Sequence, residues 1–297
     1  MTELLRELLR LPGRMSELVT GLQVRRVLPA AARRAVGPFV FFDHFGPVTL
    51  PPEIDSDIGG HPHIGLATVT YLFEGSFLHR DSLGTVQPIT PGAINWMTAG
   101  RGIVHSERVT ADERGKQRRL HGLQLWVALP PALETMDPSF QHVAVADLPM
   151  LIRTGAVQVR VLVGEAFGVR SPVRTVSPAL YLDVQLPAEA EWELPPLAAE
   201  MAVYSPEQAL FINGQPVPAQ EMAVLPAASV AKLRAGPQGA RLVVIGGAAL
   251  EQPVRMWWNF VATDRARIAQ AAQRWSEGGF EPIAGETDRV AAPPWRD

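Results

Sequence analysis

Two histidines stand one residue apart in the stretch GGHPH, at His61 and His63. In an extended chain the side chains at positions i and i+2 point to the same face, so this pair can present two imidazoles to one point. A second pair with the same spacing, His105 and Glu107, begins 42 residues after His63. If the two pairs lie on neighbouring strands, they offer three nitrogens and one carboxylate oxygen. Such a set suits Fe, Ni, Co, Mn, Cu or Zn.

The remaining histidines bear on how specific this pattern is. A lone H-x-H pair is also typical of a polar sheet edge, and it is the second pair that favours a metal site. All seven histidines lie between residues 44 and 142, so an imidazole site is predicted only in the first half of the chain. A structural role is expected for the other four, which are His44, His79, His121 and His142. His121 is a candidate hydrogen-bond donor behind the metal ligands, and the polar pair Asp43-His44 inside an aromatic run needs a partner.

Short β-type runs broken by Gly and Pro must position these residues. In the first half the predicted strands are 38–42, 68–73, 93–97, 102–105 and 120–128. After an irregular connection at 130–150, the predicted strands are 157–163, 180–186, 201–204, 209–212, 222–225, 229–233 and 241–245. Many short strands in a chain with 27 prolines and 25 glycines indicate a sandwich or barrel. A faint echo between the halves is compatible with a duplicated barrel.

One helix is predicted near the end, within TDRARIAQAAQRWSEGG (263–279). Thr263 or Asp264 can cap its N-terminus, and Gly278 suits the left-handed residue after its last turn. Ile268 and Trp275 share one face with Ala272, so the helix is expected to pack against a sheet.

Composition excludes several classes of protein. The 297 residues are 47% hydrophobic and 19% charged, enough for one large or two smaller globular domains. The absence of cysteine excludes disulfides, thiolate catalysis and Cys-based zinc sites. A formal charge of −3 without a basic block argues against direct nucleic-acid binding. No stretch is apolar enough for a signal peptide or a membrane span, so a cytoplasmic location is expected.

The run HPHIGLATVTYLFEGSFLHRDSLGTVQPITPGAINWMTAGRGIVHSER (61–108) resembles the pirin family, a branch of the cupin superfamily. Supporting matches are GPFVFFDHFGP (37–47), LHGLQLWVALP (120–130) and MWWNFVATDRARIAQAAQRW (256–275), so the resemblance spans about residues 22 to 285. It implies an all-β bicupin, with two jelly-roll-like β-barrels in one chain and a short C-terminal helix. The implied domains are a metal-binding barrel at 1–135 and a barrel without metal at 136–297, which carries the helix at about 264–277.

By the family pattern the metal ligands are His61, His63, His105 and Glu107. One departure is Ala67, which stands where the general cupin motif carries a glutamate. In pirins that glutamate is not the usual ligand, so the site is expected to survive its loss. The cofactor implied is one divalent transition metal ion, with iron expected first and Ni, Co, Cu, Mn or Zn left open.

Pirins are described both as quercetin 2,3-dioxygenases and as regulators without established catalysis. The resemblance therefore implies a dioxygenase that opens the ring of flavonols such as quercetin, with Glu107 as the proton acceptor. The alternatives are a non-catalytic, metal- or redox-responsive regulator that binds a protein partner, and an oxygenase whose substrate is not a flavonol. An aromatic slot for a planar substrate is one interpretation of the following residues, and ordinary barrel core is the other: Phe39, Phe41, Phe42, Phe45, Trp96 and Met97.

Overall fold

The computed structural model describes residues 8–19 and 22–295, and most of its regular structure is β-strand. The strands of the first half are β1 (Leu9–Leu11), β2 (Arg14–Val19), β3 (Leu22–Leu28), β4 (Phe39–Leu50), β5 (Ile58–His63), β6 (Leu66–Glu74), β7 (Phe77–Asp81), β8 (Val86–Ile89), β9 (Ile94–Thr98), β10 (Ile103–Arg108), β11 (Arg118–Ala128) and β12 (Ser139–Val143). Those that follow are β13 (Met150–Arg153), β14 (Val157–Val163), β15 (Glu165–Ala166), β16 (Val169–Arg170), β17 (Ala179–Leu186), β18 (Glu191–Leu194), β19 (Glu200–Tyr204), β20 (Leu210–Ile212), β21 (Gln215–Val217), β22 (Met222–Val224), β23 (Ala231–Ala235), β24 (Ala240–Gly247), β25 (Arg255–Trp257) and β26 (Phe260–Ala262). The α-helix is α1 (Arg265–Ser276), and short 3₁₀ turns occupy Pro131–Leu133, Val145–Asp147 and Thr154–Ala156.

The chain forms two compact units, each assembled from separate segments. The histidine unit comprises Met15–Arg25, Val40–Asp147 and the described residues from Leu250 onward. The aliphatic unit comprises Arg26–Phe39, Leu148–Ala249 and the described residues up to Arg14. The predicted division at residue 135 stays a prediction. In the structure the histidine unit also includes the described residues from Leu250 onward, and the aliphatic unit also includes Arg26–Phe39 and the described residues up to Arg14.

Two large antiparallel sheets build the histidine unit, and β25 and β26 form a further two-stranded sheet in it. One has the strand order β12-β9-β6-β11-β4-β3-β2, and the other has the order β5-β10-β7-β8. An apolar cluster joins them, in which Leu72 of β6 and Phe45 of β4 meet Phe77 and Ile89 of the second sheet. These side chains therefore define the inner face of each sheet.

The aliphatic unit repeats this plan with the orders β1-β22-β19-β24-β17-β14-β13 and β18-β23-β20-β21. Its interior is filled by Val, Leu, Ile, Met, Ala and Trp side chains, among them Val159, Leu182 and Leu233, each at most 1% exposed. Two sheets with an apolar interior in each unit agree with the predicted all-β fold, and the predicted bicupin is confirmed.

The helix α1 matches the sequence prediction closely. Asp264 is its N-cap, and its side chain accepts a hydrogen bond from the Ala266 backbone N–H at 2.9 Å. Gly278 follows with a φ of +73°, the left-handed conformation that glycine adopts readily. Ile268 and Trp275 are buried in a cluster that includes Phe260 of β26, so the apolar face of α1 lies in the histidine unit rather than in the barrel formed by residues 148–249.

Each predicted strand corresponds to a strand of the structure, although their ends shift by several residues in places. The sequence missed β5, because Gly-Gly-His-Pro-His has little intrinsic preference for a strand and extends only through its pairing with β10. It also missed β12, which lies in the supposed irregular connection and pairs with β9. In the described part of the chain, α1 and the 3₁₀ turns are too short or too polar to cross a membrane.

Candidate metal centre

Strands β5 and β10 bring the predicted histidines together. The two strands are antiparallel, with His61 opposite His105 and His63 opposite Ile103. Because His61 and His63 are two residues apart, both point to the inner face, where His105 joins them. One ligand nitrogen from each ring lies within 4.8 Å of the others. The Nε2 atoms of His63 and His105 are 3.1 Å apart.

Backbone carbonyls orient two of the three rings. His61 Nδ1 lies 2.9 Å from the carbonyl oxygen of Gly59, and His63 Nδ1 lies 3.1 Å from that of Asn259. Since a carbonyl oxygen only accepts hydrogen bonds, each Nδ1 carries the proton and each Nε2 keeps its lone pair. These two hydrogen bonds therefore hold both rings in the tautomer whose Nε2 can bind a metal.

Burial keeps the imidazoles neutral. His61 is 8% exposed, His63 1% and His105 3%. Burial lowers the pKa of His61 to about 4. It also lowers the pKa values of His63 and His105 well below 6.5, with a smaller contribution from the neighbouring histidines. At neutral pH the three rings are therefore uncharged, and each keeps one nitrogen lone pair that can bind a metal.

This arrangement fits a transition metal. Two nitrogens that each lie about 2.1 Å from one metal ion at a right angle are about 3 Å apart, close to the observed separation of 3.1 Å. Three lone pairs directed at one buried point repel each other unless a proton or cation lies among them, and one proton can bridge only two of them. A single cation satisfies all three, so the donor set matches His-bound Fe, Ni, Co, Cu, Mn or Zn.

Glu107 follows His105 by two residues on β10 but is not one of this group of three. The described group with mutual distances of 4.8 Å or less contains the three histidines and not the carboxylate. A shift in register between His105 and Glu107 interrupts the pairing of β10 with β5, and such a bulge re-aims the following side chain. Glu107 is only 8% exposed, and burial raises the pKa of its carboxyl group to about 7. Burial therefore keeps this acid mostly protonated below that pH.

Aromatic side chains enclose the cluster. The Trp126 ring lies 5.2 Å from the His63 ring and stacks on Phe41 at 4.0 Å. Of the aromatic residues proposed from sequence, Phe41 therefore lies near the histidines, whereas Phe39 contacts Tyr181 in the aliphatic unit. Sequence reasoning missed Trp126. Its position two residues after Gln124 on β11 becomes informative only once the inner face is known.

A histidine–aspartate pair also belongs to this inner face. His79 Nε2 lies 3.0 Å from Asp81 Oδ2, and the His79 ring is 5.3 Å from that of His105. Although burial by itself raises the pKa of Asp81, hydrogen bonds from His79 and Thr85 hold that pKa below its usual range. The H-x-D spacing in FLHRD was a signal for this pair, because it equals the spacing of the two predicted ligand pairs.

His44 and His121 lie elsewhere. Their Nε2 atoms are 2.9 Å apart, which supplies the partner that the sequence required for His44. His121 also packs against Phe73 at 4.6 Å between ring centres. Phe73 is the neighbour of Leu72 on β6, and Leu72 points into the interior, so Phe73 points to the outer face of the sheet. The His44–His121 pair, which contacts Phe73, lies on that outer face as well. His121 therefore does not stand behind the metal ligands, contrary to the sequence interpretation.

A C-terminal strap, residues 286–290, holds the ligand strands from outside. Ser106, which alternates with the ligands of β10, donates a hydrogen bond to Glu286 at 2.8 Å. Arg108 forms ion pairs with Glu286 and with Asp288. The backbone N–H of Val290 donates to the Gly60 carbonyl at 2.9 Å, immediately before His61. The strap thus fixes both strands on the side opposite the histidines.

Fold and site together define a bicupin, a chain of two cupin barrels with a histidine cluster in one of them. Residues 21–127 match the model of the family named Pirin, and residues 181–281 match that of the Pirin C-terminal cupin domain. A pirin-like protein of Caulobacter vibrioides is 40% identical over 86% of this chain and 88% of its own length. Human Pirin is 34% identical over 88% of this chain and 89% of its own length. The chain belongs to the pirin family.

A solved structure extends the comparison to nearly the whole chain. The quercetin 2,3-dioxygenase of Acinetobacter baumannii superposes with a TM-score of 0.90 at 33% sequence identity. The match covers 98% of this chain and 96% of that protein. The two-barrel architecture is therefore shared over the full described structure.

Proposed function

We propose that this chain is a metal-dependent dioxygenase that opens the heterocyclic ring of flavonols such as quercetin. The observation that carries the proposal is the buried cluster of three neutral imidazoles, whose ligand atoms lie within 4.8 Å of one another. The likeness to the quercetin 2,3-dioxygenase of Acinetobacter baumannii supports the choice of substrate. The proposed ligands of the ion are His61, His63, His105 and Glu107.

One divalent transition metal ion is proposed, with iron as the first candidate and Ni, Co, Cu, Mn and Zn compatible with the same donors. When bound, the ion supplies Lewis-acid and redox chemistry to an oxygen-bearing substrate. Over the whole reaction, both atoms of dioxygen enter the ring-opened ester, and the carbon that carried the 3-hydroxyl group leaves with its oxygen as carbon monoxide.

The chain itself contributes a proton acceptor and an apolar surface that excludes water. A Glu107 oxygen accepts the proton of the 3-hydroxyl group, and a carboxyl pKa of about 7 suits a base that works near neutral pH. Trp126, 7% exposed, and Phe41, 5% exposed, form a stacked apolar wall beside His63. Such a wall orients a planar ligand and keeps bulk water from the reactive carbon.

The test uses metal-free protein reloaded separately with each of the six metals. Quercetin and oxygen are added, and flavonol bleaching, oxygen consumption and carbon monoxide release are followed together. His61→Ala is expected to lose both metal and turnover. His121→Asn serves as the control, because it removes a buried imidazole of the same unit that lies outside the cluster. Equal turnover by the wild type and His61→Ala would overturn the proposal. A regulator that acts by binding a protein predicts metal binding without any flavonol turnover in the same assay.

A further inference from the structure

Four polar side chains form a row across the seven-stranded sheet of the histidine unit. Gln124 of β11 pairs with Thr70 of β6, and Thr70 pairs with Asn95 of β9. Asn95 pairs in turn with His142 of β12. Directly paired residues point to the same face of a sheet, so these four side chains lie side by side. They are called the polar row below.

A second row shows which face this is. Two residues further along each strand, the paired residues are Trp126, Thr68, Met97 and Phe140. Trp126 lies against His63, and Phe140 stacks on His79 at 4.4 Å. This site row therefore faces the histidine cluster. Because side chains two residues apart share a face, the polar row faces the barrel interior as well, about 7 Å further along the strands.

The polar row lies between the histidines and an apolar end of the barrel. Leu72, two residues beyond Thr70, belongs to the apolar cluster with Phe45 and Phe77. The aliphatic unit instead holds a continuous cluster of buried apolar side chains between its sheets. The polar row is thus a property of the unit that carries the histidines.

Hydrogen bonds within the row leave one buried donor, Asn95 Nδ2, without a partner among the described residues. The Thr70 hydroxyl donates to Gln124 Oε1 at 2.9 Å, and His142 Nδ1 lies 2.8 Å from Asn95 Oδ1. Asn95 is 2% exposed, and its Nδ2 has no hydrogen-bond partner among the described residues. A buried amide N–H without an acceptor is costly. An acceptor that enters with a ligand removes that cost.

We infer that the polar row is the specificity surface for an oxygenated ring of the substrate, with Asn95 Nδ2 as the donor to a hydroxyl or carbonyl oxygen. This inference rests on the proposed function, which places the reacting hydroxyl group at the histidine cluster. The ligand class is a planar polyphenol that carries a second oxygen group several ångströms from the reacting one. A flavonol without ring hydroxyl groups lacks the acceptor and gains nothing from the row.

The test compares two probes, quercetin and 3-hydroxyflavone, which share the reacting hydroxyl group and differ in their ring hydroxyl groups. Binding is measured without oxygen on metal-loaded protein, and kcat/KM is measured with oxygen. Asn95→Leu is expected to weaken quercetin binding about tenfold, the value of one buried hydrogen bond. It should leave 3-hydroxyflavone binding and metal content unchanged. Thr70→Val, which keeps the shape of the side chain, tests the row a second time if the first variant folds poorly.

Thr98→Val is the matched control. Thr98 is a buried polar residue of β9, 5% exposed, and accepts a hydrogen bond from Trp96. Both residues lie on the face of the strand opposite to that of Asn95. It should leave the preference between the probes unchanged.

The outcomes separate the two proposals. Suppose that quercetin is turned over and that the preference for quercetin over 3-hydroxyflavone is the same in the wild type, Asn95→Leu and Thr70→Val. The polar row then has no role in specificity, and the dioxygenase proposal is retained. If the wild type binds quercetin more tightly than 3-hydroxyflavone, Asn95→Leu abolishes that difference, and quercetin is not turned over, then the role of the polar row is supported and the dioxygenase proposal is overturned. If neither probe binds the metal-loaded wild type, both proposals are overturned.

Discussion

The buried carboxyl group of Glu107 makes a testable prediction about stability without metal. Its pKa is raised by burial from 4.5 to about 7, so the folded state holds the proton more tightly than the unfolded chain. Stability from this group is therefore greatest below pH 4.5 and is lost as the pH rises through about 7. In Glu107→Gln this dependence is absent. The free energy of unfolding of the metal-free variant should therefore increase relative to that of the wild type as the pH rises.

The magnitude follows from the two pKa values. Integrating proton binding between pH 5 and pH 8 gives a change of about 2.5 kcal/mol in the stability difference between wild type and variant. Comparing two pH values removes any constant cost of burying the amide. The histidines, whose pKa values are lowered, are common to both proteins and cancel.

The assay is urea unfolding of both proteins at pH 5 and pH 8 in the presence of a chelator, followed by tryptophan fluorescence. A stability difference that does not change with pH would refute the reasoning, because it would mean that Glu107 is solvated or paired in the folded state. Adding Zn²⁺, which is redox-inert, should make the wild type the more stable of the two at pH 8, since a ligand that binds more tightly stabilises the folded state more. Equal stabilisation of both proteins by Zn²⁺ would instead remove Glu107 from the ligand set.

Three further predictions concern the strap, the metal and a tight turn. Glu286→Gln should lower the midpoint of thermal unfolding by about 4–8 °C, because it leaves a largely buried arginine with one partner fewer, at a cost of about 2 kcal/mol. Glu193→Gln, in an ion pair with both side chains more than 60% exposed, should cause no measurable change. The logarithm of metal affinity, measured by chelator competition, should rise by about one per pH unit between pH 5 and 7, because only Glu107 has a proton to release in that range. A slope that approaches four would show that the three histidines are ordinarily basic and release their protons as well. Gly65→Ala should destabilise the protein more than Gly84→Ala in thermal unfolding. Both glycines have positive φ, but a methyl group at Gly65 would lie 1.9 Å from the Val261 carbonyl oxygen whereas Gly84 has open space, so equal effects would contradict this account.

The predicted ligand pairs illustrate what residue spacing can establish. The i, i+2 rule needs only an extended backbone, and β5 and β10 supply it for His61, His63 and His105. Spacing does not reveal a bulge, so the register shift between His105 and Glu107 could not be predicted from the sequence His-Ser-Glu alone. His79 has the same spacing with Asp81, yet its place beside His105 depends on β7 pairing with β10.

The amino-acid sequence by itself determined the all-β character, the capped helix and the half of the chain that holds the histidines. These depend on local properties such as alternation, turn residues and capping groups, which act over a few positions. The family resemblance added the two-barrel plan, which local patterns only suggested.

Tertiary structure alone decided which side chains share the barrel interior. Thr70, Asn95 and His142 are far apart in the chain and carry no common motif, and strand register places them in one row with Gln124. Register is set by the sum of many pairings and by core packing, so no short stretch encodes it. For the same reason α1, the last helix in the chain, lies with the histidine unit, because its apolar face fits the cluster around Phe260.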